Sequence, residues 1–197
     1  MKARIQIILA GFFLMLAIAP ASVQAQNWSS DPVHSTVMYT IRHGLTPMVG
    51  MFKKFNINMT LDPENATEAK IDGTLDVSSV MMGMDKLEGH LKSPDFFDAE
   101  KYPEWSFVST GVKAVKKSDS KFVATGDLTV RGVTKSIEVP FELLGVNDTE
   151  RGKKAGISAE FTIDRNDYGV GQGHFADTKG LGGDVKVTIY LEMNAKK

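Results

Sequence analysis

The feature that most constrains this chain is a two-residue rhythm. Downstream of residue 25 the sequence reads as eight successive stretches of alternating apolar and polar residues, and none has the length or period of a long helix. Alternation places every second side chain on one face of a strand. Eight antiparallel strands can close into a barrel whose interior is filled by side chains or holds one small ligand. The pattern predicts an all-β fold, an eight-stranded antiparallel β-barrel, and leaves open whether its inside is solid core or cavity.

The stretches span 35–43, about 49–61, 69–77, 105–115, 121–130, 135–144, 154–163 and 184–194. Val37, Tyr39 and Ile41 share a face in the first, and Phe55, Ile57 and Met59 in the second. Gly50 and the Lys53-Lys54 pair predict a bulge or bend in that second stretch. Bulky residues (Phe55, Phe141, Phe161) mix with small ones (Gly73, Ala124, Gly126, Ala159) on the inward faces, which leaves room for an occupant. The rhythm stops over 78–103 and again over the glycine-rich 164–183. Connections this long in a compact β domain are uncommon and often functional. Within the first, Ser93 and Pro94 predict the cap and first turn of a short helix.

The ends and the composition narrow the function. Lys2 and Arg4, the apolar run 5–19, and Val23-Gln24-Ala25 have the form of a secretory signal peptide ending at residue 25. Residues 26–197 are then expected as one domain, with no stable membrane span. The formal net charge is −1 and no basic stripe is present, which argues against nucleic acid as a partner. Cysteine is absent, so disulfides, thiolate metal sites and cysteine nucleophiles are excluded together.

Several spaced motifs carry a family likeness. Asp31-Pro32-Val33-His34-Ser35 leads into Tyr39-x-Ile41-x-His43, and Gly50-x-Phe52 precedes Phe55. Leu91-Lys92-Ser93-Pro94-Asp95-Phe96-Phe97-Asp98 runs on to Tyr102-Pro103, and the run from Gly126 to Lys135 (GDLTVRGVTK) completes the set. The chain resembles the YceI-like family, polyisoprenoid-binding proteins of the bacterial periplasm, over essentially the whole segment after residue 25. The resemblance implies an extended lipocalin-like barrel with a short helix in a long loop. It also implies an apolar cavity for an isoprenoid chain, such as a polyprenyl or quinone tail, and a periplasmic location. Two positions depart from the family pattern, both in the 78–103 loop: Leu87-Glu88 stands where many relatives carry Arg-Asp, and no Thr is evident among Met81, Met82 and Met84.

Alternation and resemblance together nominate the cavity wall: Val37, Tyr39, Ile41, His43, Phe52, Phe55, Ile57, Leu75, Met82, Phe96, Phe97, Phe107, Leu128, Phe141 and Phe161. Methionine is frequent in the first half of the barrel, as adaptable wall or as ordinary core. Burying hydrocarbon is worth roughly 0.8 kcal/mol per CH₂, so about ten buried carbons outweigh the ordering cost of binding. Recognition would then depend on the chain more than on the headgroup. Phe96 and Phe97 read either as a lid or as a staple for the short helix, and Trp105 as the start of a strand.

Other chemistry is thinly supported. His34, His43, His90 and His174 are the only histidines. His34 and His43 are nine residues apart, which a regular strand points to opposite faces. His34 is expected to hold the N-terminal turn and His43 to sit inside near a barrel end, against structural partners or a ligand head. No metal site and no cofactor beyond a bound isoprenoid lipid are expected. Neither a Gly-x-Ser-x-Gly elbow nor a His-Glu-x-x-His pair occurs, Asp95 and Asp98 read as helix N-terminal charges, and no catalytic residues are assigned. The Gly169–Gly173 run is not a dinucleotide loop, because no periodic helix follows it. The favoured reading is a binding protein for an isoprenoid lipid or quinone, with a homodimer as an open option. The alternative is an exported stress-response or interaction module that uses the barrel as a scaffold and the two long loops as its contact surface.

Overall fold

The computed structural model describes residues 25–62 and 65–196. The leader expected over 1–25, apart from its last residue, lies outside the described residues, as do Pro63 and Glu64 of the expected turn. One antiparallel sheet contains β1 (Gln26–Ser30), β2 (Thr36–His43), β3 (Thr46–Phe52), β4 (Phe55–Leu61), β5 (Lys70–Asp76) and β6 (Val80–Met81). It continues through β7 (Glu104–Ala114), β8 (Lys121–Val130), β9 (Val133–Thr149), β10 (Gly152–Asp164) and β11 (Leu181–Ala195). Around the barrel β1, β4, β5, β7, β8, β9, β10 and β11 pair in that order. β11 then pairs back onto β1, so eight strands close a ring.

The other three strands form a flap that prolongs the sheet from β11 through β2 and β3 to β6. It exists because the second predicted stretch, 49–61, breaks in two and the third is followed by a further short strand. The expected bend at Lys53-Lys54 separates β3 from β4, and a single 3-10 turn at Val77–Ser79 separates β5 from β6. The two breaks are bonded to each other. The Lys53 and Lys54 amides donate to Ser79 O (3.2 Å) and Ser79 Oγ (3.0 Å), and Lys54 O accepts from the Asp76 amide (2.9 Å). The Asp31–Ser35 turn separates β1 from β2 in the same way.

Three details differ from the sequence reading. β1 was not anticipated: Gln-Asn-Trp-Ser-Ser does not alternate, yet its register Trp28↔Ala195 and Trp28↔Met59 closes the ring. β9 runs past the expected end at 144 because Leu144 is an extra residue. Gly145 pairs Gly156 and Leu143 pairs Ile157, so the apolar phase shifts by one at Leu144 and resumes at Val146. The helix lies upstream of its expected place. It is α1 (Asp85–Lys92), and Ser93 ends it, donating its Oγ to His90 O at 2.7 Å. Pro94 follows a finished helix here rather than opening one. Asp95 and Asp98 therefore lie beyond α1, not at its N-terminus. The Arg131-Gly132 connection is a two-residue turn with φ 51° and 74°, the type I′ geometry that suits a hairpin.

Buried apolar side chains fall into two groups. One fills the closed ring around Trp28, Met59, Leu61, Phe122, Phe141 and Met193. The other lies under the flap and long loops around Tyr39, Phe52, Val77, Phe96, Phe97 and Tyr168. Among the described residues, no helix is long and apolar enough to cross a membrane.

Candidate functional site

Above the packed base the inward faces leave space between them. They enclose a cavity of about 760 Å³ that reaches from the closed ring to the flap. Deep in the ring its wall is Met59, Ile71, Ala124, Val139, Ile157, Ala159 and Leu191. Small residues sit where the chain must pass closely. A Cβ on Gly126 would lie 2.5 Å from both Val108 O and the Phe107 ring, and Tyr39 lies across the face of Gly50. Each nominated residue, from Val37 to Phe161, borders this cavity.

Higher up, an aromatic collar lines the wall. Tyr39 and Phe52 have ring centroids 5.7 Å apart, and Phe52 and Trp105 5.4 Å. Phe97 stands edge-on to Trp105 at 4.8 Å. Phe96 and Phe97 are buried, and both border the cavity. Burial first, and the Glu88 carboxylate second, push the Tyr39 hydroxyl well above the usual phenol range.

The mouth is built by the two long loops. α1 contributes Leu87, His90 and Leu91 to the wall, and the 3-10 turn Gly173–Ala176 contributes His174 and Phe175. Phe175 packs against His90 (5.3 Å), Phe96 (4.9 Å) and His174 (4.1 Å). α1 buries none of its residues. It is tied down by Glu88, whose Oε1 accepts from the Met82 (2.8 Å) and Gly83 (3.0 Å) amides, bonds that hold this carboxyl below its ordinary range. His43 borders the cavity from the end of β2 but is exposed. It belongs to the rim rather than the interior, because the β2–β3 hairpin turns just beyond it at Gly44.

Arginines fix the loops. Arg165, 3 % exposed, donates Nε to Gly182 O (2.8 Å) and Nη1 to Asn166 Oδ1, Val170 O and Gly171 O. Its Nη2 donates to Phe175 O (2.7 Å) and Leu181 O (3.0 Å). Burial lowers its affinity for the proton, and Asp164 opposes that shift. Arg131 reaches Gly169 O and Pro94 O, so one side chain joins both loops. Asp95 O accepts from the Gly171 and Gln172 amides, 2.9 Å each. Arg42 donates to Gly44 O, Thr178 O and Lys179 O.

The sequence reading had not nominated Trp105, Arg165, Tyr168, Val170 or Phe175, all of which border the cavity. A hint was available in the spacing Gly169-x-Gly171-x-Gly173. All three glycines have positive φ, which turns successive carbonyls around Arg165.

Outside the cavity, Asp31, His34 and Glu192 bring one ligating atom each within 4.8 Å, a grouping that could hold a cation. Its atoms already have partners. Asp31 Oδ1 accepts from the Val33 and His34 amides, His34 Nδ1 lies 3.2 Å from Asp31 Oδ2, and the Lys154 ammonium sits on Glu192 Oε1. The cluster staples the turn between β1 and β2 to β11.

Residues 28–193 match the family described as YceI-like domain. A UPF0312 protein of Photorhabdus laumondii is 36% identical over 157 residues, 78% of this chain and 80% of that protein. BcnA of Burkholderia cenocepacia has the same fold, with a TM-score of 0.75 and 28% identity over 83% of this chain and 98% of that one. A domain from Saccharophagus degradans aligns at a TM-score of 0.63 over 86% and 98%, with 12% identity, a likeness of fold alone. The match across nearly the whole barrel places this chain in the YceI-like family.

Proposed function

We propose that this protein binds and carries an isoprenoid lipid, with a polyprenyl or quinone tail lying in the barrel and the aqueous periplasm as its working compartment. The observation that carries the reading is the continuous apolar space of about 760 Å³ inside a closed barrel. Pockets of this size take ligands whose surface is almost wholly buried. The inward wall supplies the affinity by the area it removes from water. The Saccharophagus domain of the same fold is described as polyisoprenoid binding, which is consistent with this cargo. Family membership points the same way, and the nominated wall residues from Val37 to Phe161 are then the ligand contacts. A binding protein rather than an enzyme fits a wall so poor in reactive groups. The continuous space favours this reading over a barrel that serves only as a scaffold.

The basic start, apolar run and small-residue site before Gln26 support export and a single domain over 26–197. Native mass spectrometry and organic extraction of the exported protein test both parts. The expected result is a chain beginning at Gln26 that yields an isoprenoid lipid. A protein that is purified empty and ignores added polyprenols and quinones overturns the carrier reading.

A further inference from the structure

Three methionines stand side by side on the outer face of the flap. The register sets Met38 opposite Met51 and Met51 opposite Met81, so β2, β3 and β6 each place one thioether in a single cross-strand row. The adjacent row in the same strands is Val37, Phe52 and Val80, whose side chains belong to the buried group under the flap. A strand alternates its faces, so the methionine row points the other way. Gly50 fixes the phase. A Cβ there would lie 2.4 Å from the Tyr39 ring, which puts Tyr39 and Gly50 on the inner face and Met51, the next residue, on the outer one. Met38 borders the cavity as well.

Core filling does not account for the row. All three side chains are half-buried, yet among the described residues none of them belongs to either buried apolar group. Opposite residues of a sheet hold their Cβ atoms about 4.5–5.5 Å apart. Methionine has three rotatable bonds and a polarisable sulfur, so Met38 and Met81 can close on Met51 from its two sides. The row meets Thr188 of β11 at one end, and at the other it reaches β6, where the strand order ends.

The chemistry of the row selects its ligand. Thioethers are soft, neutral donors that favour Cu(I), whereas carboxylates and carbonyls suit Mg(II) and Ca(II), and imidazole suits Zn(II). The row contains none of those harder groups. Its neighbour on the same face, Lys186, Thr40 and Val49, adds one charge, which Glu160 answers at 2.8 Å. Lys53, two residues beyond Met51, is exposed to solvent and screened there.

We propose that Met38, Met51 and Met81 form a three-sulfur site for a soft, closed-shell monovalent cation, Cu(I) or its analogue Ag(I). The site lies on the opposite face of the flap from the apolar wall and does not depend on what the barrel carries. Met81 belongs to the run Met81, Met82 and Met84, where the chain departs from its family's pattern, so the site is a property of this chain. The expectation of no metal site weighed histidine, cysteine and carboxylates, and here thioethers supply the ligands.

The test uses the whole exported protein and Ag(I), which needs no reductant, added as the nitrate in chloride-free buffer. Calorimetry and native mass spectrometry should show one Ag(I) per chain, which excess Mg(II) and Zn(II) fail to displace. In protein labelled with carbon-13 at the methionine methyls, the signals of Met38, Met51 and Met81 should move on titration. That of Met193, sealed in the base, should stay in place. Met51→Leu keeps the bulk of the side chain. It should weaken Ag(I) binding at least about tenfold, since even outer-shell partners of a metal are worth that. Met38→Leu and Met81→Leu should each act in the same direction. Methyl signals of the three that do not move, Ag(I) held at histidines instead, or an undiminished affinity in Met51→Leu overturns the assignment.

Discussion

At the base of the barrel, β1 joins β4 on one side and β11 on the other through backbone ladders, with Trp28 beneath the joint donating its indole N–H to Leu61 O at 3.3 Å. At the mouth no strand performs that service. The 78–103 and 164–183 loops cover the top, and Arg131 and Arg165 hold them by their carbonyls, helped by Arg42 on the later loop. A ladder joins many residues cooperatively, and separate side-chain bonds can be lost one region at a time. The base is thus held by continuous ladders and the mouth by separable side-chain bonds, an arrangement consistent with the carrier reading proposed above.

The strongest way to break this comparison is to damage each closure and ask whether the damage stays local. Trp28→Ala should cost about 3–5 kcal/mol, read as a shift of the single cooperative denaturation midpoint. Arg165→Leu is expected to cost less, about 3 kcal/mol, by leaving several loop carbonyls unpaired. Its amide exchange should quicken over 164–183 and stay slow in β10 and the C-terminal half of β11. Faster exchange throughout the ring would show that base and mouth are one unit. Gly171→Ala sharpens the point at a smaller cost, about 1–3 kcal/mol. Its φ is +77° and the new Cβ would lie 2.5 Å from Arg165 Nη1, so the same loop should loosen without loss of any hydrogen-bonding side chain.

The smallest expected effect is acid sensitivity. Asp31 ties the turn beside β1 to β11, and Glu88 ties α1 at the mouth. The Val33 amide bond foremost holds the first carboxyl far below its ordinary range, and the Met82 amide bond foremost holds the second below it. A carboxylate depressed in the folded state contributes stability that is complete above its unfolded value, near ~4, and is lost as pH falls through the folded value. Both groups are half-buried at the surface, where water still screens them, so the loss should be modest. Because Glu88 is the less depressed, exchange over 82–92 should quicken at a higher pH than exchange around 31–35. The reverse order would mean that the base seam is the weaker one.

The closed ring was largely legible in the sequence, because its cause is periodic. Phe122, Ala124 and Val130 could be placed inward by counting, and so could Ile157 and Ala159. β1 was illegible because Trp28 is its only large apolar residue and no rhythm surrounds it. The end of β9 was hidden by Leu144, which shifts the phase. Over the mouth the period fails altogether. Arg165 looked like any loop cation, since nothing local says that carbonyls from 170, 171, 175, 181 and 182 will converge on it. His43 kept its predicted face, but position along a strand, unlike its face, depends on where the hairpin ends.

The chain has two tryptophans, and the fold divides them between its halves. Trp28 is sealed in the packed base at 1 % exposure, and Trp105 stands in the cavity wall. The protein thus carries its own optical gauge. Emission from Trp28 reports whether the container is intact, and emission from Trp105 responds to what lies inside it. Trp28→Phe and Trp105→Phe would separate the two signals, so that filling and emptying could be followed in real time without an attached dye.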